Sequence, residues 1–317
     1  MDGKQLEGKA EADSGSATSD SPVALLDKTE DALNAAAEFV VGRQADVVVA
    51  RLKGSRFRKG TKHWVADESK PEDHRLGVKT IDADGLVQAD KWADELVSSL
   101  TPIVTDAAQA ATEGIIDDLG LNDVEVKARH RRITDAQAKV IAATAADALF
   151  VAKNAMKKHS ESLAARIKEA DEAGKDLDAI IADIQDYALQ YRRGWSKTVM
   201  QQVGQVAIEE TRLRVSDLSK KQRDIQRVWV ARKDDKVRPA HKAANGERRR
   251  LGEPFRVGTS SLRYPGDPLG KPADTQNCRC RLTYVAKSTG RFTAAPAGET
   301  TRNPERKALE LVWSVTA

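Results

Sequence analysis

The sequence predicts an α+β protein: a mainly α-helical stem followed by a small C-terminal module of short strands and turns. Three observations carry this. Apolar residues recur at three- and four-residue spacing through the first two thirds of the 317-residue chain. Glycine and proline become frequent, and apolar runs short, after about Gln226. The segment RVWVARK, with Val228 and Val230 alternating against Trp229 and Ala231, has the two-residue period of a strand.

Residues 1–22 are polar and small and bury too little apolar surface to order themselves, so a disordered tail is expected. The stem is assigned to residues 23–225. Its first helix is predicted over Pro22 to Arg51, with Leu25, Leu26, Leu33, Phe39 and Val40 as its apolar positions. Residues 53–80, which open KGSRFRKGTKHW, read as an exposed basic loop.

Helix resumes near Leu86, where Trp92, Leu96, Leu100, Ile103, Val104 and Ala107 share one face. Pro102 requires a kink or a new first turn, and Gly120 reads as a helix stop. Thr134 with Gln137 three positions on forms a capping box, and the helix behind it extends to about Ala173. Gly174 and Asp176 mark a stop and restart before the Ile180, Ile184, Tyr187, Tyr191 stripe. A separate helix is expected from Ser196 to Arg214. The module is placed at 226–285, and 286–317 reads as a loop with a short terminal helix, PERKALELVW.

Composition limits the function classes. Aromatics are only 4% of the chain, which suits thin helical layers better than a thick enzyme core. Net charge is only +4, so affinity for nucleic acid must come from local clustering. Cys278 and Cys280 are the only cysteines, which excludes a disulfide framework and fits a reducing compartment. No apolar leader or stretch of 18 uncharged apolar residues is present, so a soluble protein made in the cytoplasm is expected.

The residues that carry information form an ordered series in the module. Trp229 is followed by Asp234, Asp235, Arg238, His241 and Gly246, then Phe255, then Tyr264-Pro265-Gly266-Asp267, and finally Asn277-Cys278-Arg279-Cys280. This series resembles the phage Mu F-like family of minor head proteins, also called the phage head morphogenesis family. The helical stem, including WADELVSSLTPIV at 92–104, is compatible with it but generic. Some members carry a Cys pair near the positions of Arg238 and His241, where this chain departs from the pattern.

The resemblance implies a minor capsid protein of a tailed phage or prophage, acting in head morphogenesis and DNA packaging. Its expected partners are the portal protein, a major capsid or scaffold protein, and double-stranded DNA bound without sequence preference. Its expected location is the capsid interior near the portal, reached from the host cytoplasm during assembly. No membrane role and no catalytic residue are expected.

Read for their chemistry, most of the series is structural. Trp229 and Phe255 suit the module core, His241 a turn, and Asp267 the backbone N–H groups of its own loop. Cys278 and Cys280, two apart, would face one side of a strand with Arg279 and Arg281 on the other. With His241 they are candidate zinc ligands, and Asp267, Asp234 or water is the candidate fourth. The favoured reading is two ordinary core thiols and no cofactor.

Residues 221–256 hold twelve Lys/Arg against five acids, a local +7. Arg248, Arg249 and Arg250, between Gly246 and Gly252, read as an exposed loop. With Arg238 and Lys242 they form the candidate DNA-binding set, able to neutralise phosphates without reading bases. A solvated face or a contact with an acidic partner is the alternative.

Two enzymatic rivals remain: a head-associated metal-dependent nuclease built from His241, Asp234, Asp235 and the cysteines, and a capsid maturation protease. His241 is the last histidine in the chain, so a His-Asn-His site lacks its second histidine. No P-loop, GxSxG or HExxH motif is present.

Overall fold

The structure, a computed structural model, describes residues 22–56, 81–119, 133–218 and 224–287. The expectations for the N-terminal tail, for most of the basic loop, for Gly120 and for the C-terminal helix lie outside these residues.

The α+β reading holds. Helix α1 (Pro22–Arg56) is followed by short α2 (Ala83–Val87), α3 (Ala89–Asp118) and α4 (Asp135–Glu172). Then comes a long helical rod of α5 (Leu177–Gln190), α6 (Ser196–Gln205) and α7 (Thr211–Leu218). The module contains β1 (Asp224–Val230), α8 (Pro239–Ala243), β2 (Arg248–Arg250), β3 (Phe255–Val257), β4 (Ser260–Leu262), α9 (Pro272–Thr275) and β5 (Arg281–Lys287).

Local chemistry explains most boundaries. Thr134 Oγ1 accepts from Gln137 N, and the Gln137 side chain accepts from Thr134 N, closing the capping box that starts α4. At the far end Gly174 adopts φ +70°, and Lys175 N reaches back to Ala170 O at 3.0 Å. This left-handed stop satisfies carbonyls that the helix leaves open. Asp176 then caps α5 through Ala179 N at 2.8 Å.

Three boundary expectations are corrected. The first helix does not end at Arg51 but continues to Arg56, so the residues from Lys53 onward begin as helix. Pro102 starts no new helix. It sits on the exposed face of an uninterrupted α3, where the carbonyl it leaves without a donor can be met by water. The segment after Trp195 is not a separate helix either. Two π turns, Tyr191–Trp195 and Val206–Glu210, carry one rod from Leu177 to Leu218.

The helices bury one long apolar seam that includes Leu33, Val40, Val48, Leu100, Val104, Ala148, Met156 and Val203. Alanine-rich faces let them approach closely. At Gly204 an added Cβ would lie 3.5 Å from Glu30 Cγ and 3.6 Å from Leu33 Cδ1. Phe39 does not join this core: it is 65% exposed, on the opposite face of α1.

A second core fills the module with Ile225, Trp229, Phe255, Val257, Leu262, Tyr264, Leu282 and Tyr284. Ile115 and Leu119 at the end of α3 and Val215 of α7 complete it, so stem and module share apolar packing. The sheet is antiparallel in the order β2-β1-β5, with Trp229 opposite Leu282 and Val228 between Arg248 and Thr283. Strands β3 and β4 form a separate hairpin.

Leu100→Ala, at a site that is 0% exposed, is expected to cost about 2–5 kcal/mol in urea unfolding. Phe39→Ala should change stability by less than about 0.5 kcal/mol.

Candidate functional site

The motif series converges on one corner of the module, where the Asn277–Cys280 hook meets α8 and the rod. Pro239 in the first turn of α8 fixes the helical entry, and its final turn presents His241 inward, 2% exposed. Asn277 takes a left-handed φ of 54°, which reverses the chain. Cys278 and Cys280 both turn inward, at 3% and 2% exposure, while Arg279 lies half-buried on the outer side. The inward and outward alternation is present, but the cysteines precede β5 and do not lie on a strand.

His241 Nδ1 stands 3.4 Å from Cys280 Sγ and 3.5 Å from Cys278 Sγ. The Trp229 ring meets the imidazole edge-on at 5.7 Å, and Phe255 meets Trp229 at 5.3 Å. Cys278 is held protonated, well above the usual thiol range, by its hydrogen bond with Cys280 and by burial. Cys280 is drawn down to about 5, first by Cys278 and then, against burial, by His241 and the Trp229 indole.

The hook is stapled to α6. Gln201 Nε2 and Gln205 Nε2 both donate to Cys278 O, at 3.2 and 3.1 Å, and Thr198 Oγ1 donates to Asn277 Oδ1 at 3.1 Å. One turn on, Leu282 is gripped by a buried ion pair. Its N–H donates to Glu209 Oε1 at 3.3 Å, and its carbonyl accepts from Arg212 Nη1 at 2.8 Å. Arg212 also donates to Asp118 at 2.7 Å and lies 3.7 Å from Glu209, with both side chains 2% exposed. Burial pushes the Glu209 carboxyl up, opposed by Arg212 and the Leu282 N–H.

The remaining motif residues are fold-forming. Asp267 accepts from Arg263 N at 2.9 Å and Leu269 N at 3.1 Å and pairs with the Arg263 guanidinium. Gly266, at φ +76°, packs where an added Cβ would be 3.1 Å from Gln205 Cγ. Gly246, at φ +83°, ends the turn after α8, and its N–H donates to Trp229 O at 2.8 Å. Pro265 is buried beside Gly266, in the same loop as Asp267. Asp234 pairs with Arg279 at 2.7 Å, and Asp235 is exposed. Neither joins the His241, Cys278, Cys280 group, nor does Asp267.

The basic set divides. Arg248–Arg250 is not a loop but edge strand β2, because the Gly246 turn lays it antiparallel along β1. Arg248, Arg250 and Lys242 are exposed. Arg249 is half-buried and paired with Glu247, and Arg238 donates to Gln276 O. Arg227, one of the twelve cations, is 1% exposed and donates to the carbonyls of Arg250, Arg263 and Glu253. It lies 5.3 Å over the Phe255 ring.

The reading from sequence missed Gln201, Gln205, Glu209, Arg212 and Arg227. A signal existed for some of them: two adjacent acids and two glutamines on an otherwise apolar rod face are out of pattern.

Residues 161–283 match the family model described as Phage Mu protein F like protein. The matched segment begins within α4 and ends in β5, so it contains the rod, the hook and the whole motif series. The resemblance drawn from that series is thereby shown, and the family it names is one of phage head proteins. Searches of curated proteins and of solved structures return no match. Among the described residues no helix is long and apolar enough to cross a membrane.

Two outcomes follow from the seam. Arg212→Met leaves Glu209 buried without its cation and should cost about 3–5 kcal/mol in urea unfolding. Adding Glu209→Gln should restore part of that loss. Glu30, which faces Asp27, Asp31, Gln201 and Arg232, is raised to about 7, first by burial and then by Asp27. A carboxyl raised on folding contributes stability that is fully present below the ordinary value of 4.5 and is lost as pH rises from there through about 7. The midpoint of thermal unfolding should therefore fall less across that interval in Glu30→Gln than in the wild type.

Proposed function

We propose that this chain is a minor head protein of a tailed phage or prophage that docks on the portal or capsid shell and lies against packaged DNA. The observation that carries the reading is that the matched segment and the motif series are one packed unit. The rod holds the hook, and the hook closes the sheet. Such an assembly has long helical faces for protein contact and a rigid basic edge.

The DNA contact is assigned to Arg248, Arg250 and Lys242, with Lys233, Lys236 and Arg256 as exposed neighbours. Arg248 and Arg250 lie two apart on a strand and so point to the same side. A pair of guanidiniums on a fixed strand backbone attracts phosphate oxygens of any sequence, and counterion release makes that affinity fall steeply with salt. Arg238 and Arg249 are occupied within the fold and contribute less.

The chain is read as non-enzymatic. Support comes from the residues a nuclease would need: His241 is buried against two thiols, and Asp234 is held by Arg279.

Two measurements check the proposal. Mass spectrometry of purified heads from the source phage or induced prophage should find the chain in the head fraction. Its absence there would remove the head assignment. Titration of the full chain with random-sequence duplex should show binding that weakens at least several-fold in the double variant Arg248→Ala, Arg250→Ala, with a shallower salt dependence. Equal binding by both proteins would reassign the edge to a protein partner.

A further inference from the structure

Three donor atoms meet in the module without a use in the head-protein reading. His241 Nδ1, Cys278 Sγ and Cys280 Sγ all lie within 4.8 Å of one another, each from a buried residue. One ring nitrogen faces two sulfurs at 3.4 and 3.5 Å. In the neutral ring that nitrogen has one proton to give or one lone pair to offer, so it cannot serve both sulfurs well. A cation between the three atoms satisfies all of them at once.

The spacing also suits a particular ion. With Zn–S near 2.3 Å and Zn–N near 2.0 Å, tetrahedral angles put the nitrogen about 3.5 Å from each sulfur. Two thiolates and an imidazole favour a borderline-soft ion over magnesium or calcium. Among the described residues no carboxylate joins the site: Asp234 is bound by Arg279, Asp267 by Arg263, and Asp274 by Thr259 and Ser260.

The ligands are held from several directions. Gln201 and Gln205 fix the Cys278 carbonyl, Thr198 fixes Asn277, and the Trp229 ring edge backs His241. Such support keeps donors in place before an ion arrives.

We propose that His241 Nδ1, Cys278 Sγ and Cys280 Sγ form a three-ligand zinc site, its fourth position taken by a solvent molecule, that locks the Asn277–Cys280 hook to α8. Binding takes two thiolates and a neutral imidazole, so thiol protons are released to solvent as zinc enters. The hook is also held by α6, so the ion would brace the junction between module and rod. This site stands independently of the head-protein assignment.

The test uses the full chain purified without chelator. Elemental analysis should give close to one zinc per chain. Cobalt(II) added to chelator-stripped protein should produce tetrahedral d–d bands together with thiolate charge-transfer absorption. Both thiols of the wild type should resist a thiol reagent until chelator is added, a readout that needs no variant. Cys280→Ser and His241→Ala should each lose the zinc. Folded wild type that carries no zinc, gives no thiolate–cobalt absorption and shows thiol reactivity indifferent to chelator would overturn the proposal. So would full zinc retention in folded Cys280→Ser.

Discussion

The backbone of Leu282, whose N–H is held by Glu209 and whose carbonyl is held by Arg212, is the contact on which the rest of the module depends. Leu282 pairs across the sheet with Trp229, whose own N–H and C=O are turned the other way, to Glu247 and Gly246. The polar groups of Leu282 therefore point out of the sheet edge. An open edge invites pairing with another chain. Here a buried ion pair from the rod covers it, 70 residues away for Arg212. The π turn at Val206–Glu210 ends two residues before Arg212, and its last two residues are Glu209 and Glu210.

The same logic organises the charges. A segment that reads in sequence as one basic patch divides into internal and external cations. Arg227 gathers three carbonyls beneath the sheet, and Arg263 clamps the Asp267 loop while also reaching Glu210 at 3.2 Å. Their work is to satisfy backbone and carboxylate groups that would otherwise be buried without partners. What remains for an outside partner is the exposed set around Arg248, Arg250 and Lys242. The local +7 therefore overstates the charge a polyanion meets.

Much of this was legible in the sequence because it is written locally. The Thr134 and Gln137 capping box, the Gly174 stop and the strand at Val228–Val230 each depend on residues within one turn or one pleat. The order of the motif series, read as a family resemblance, identified the hook that the fold assembles. The remainder depends on distant partners. Strand alternation puts Arg227 on the buried face with Ile225 and Trp229, but no local rule shows how a buried guanidinium is satisfied, since its acceptors lie on residues 250, 253 and 263. The π turns carry no composition signal, so the rod read as two helices. Arg248–Arg250 read as a loop because flanking glycines are turn signals, whereas its pairing is set by β1. Phe39 kept the apolar spacing of a core residue but fell on the outer face of α1.

The central claim is that rod and module open together, since the seam joins them through Leu282, Cys278 and the shared apolar packing of Ile115, Leu119 and Val215. Native-state hydrogen exchange on the full chain tests this most directly. The account predicts that the amides of Trp229 and Leu282 and those of Met200 and Val203 exchange through one opening, with a common free energy and denaturant dependence. Exchange of the strand amides through a separate and cheaper opening, with the α6 amides still protected, would contradict it.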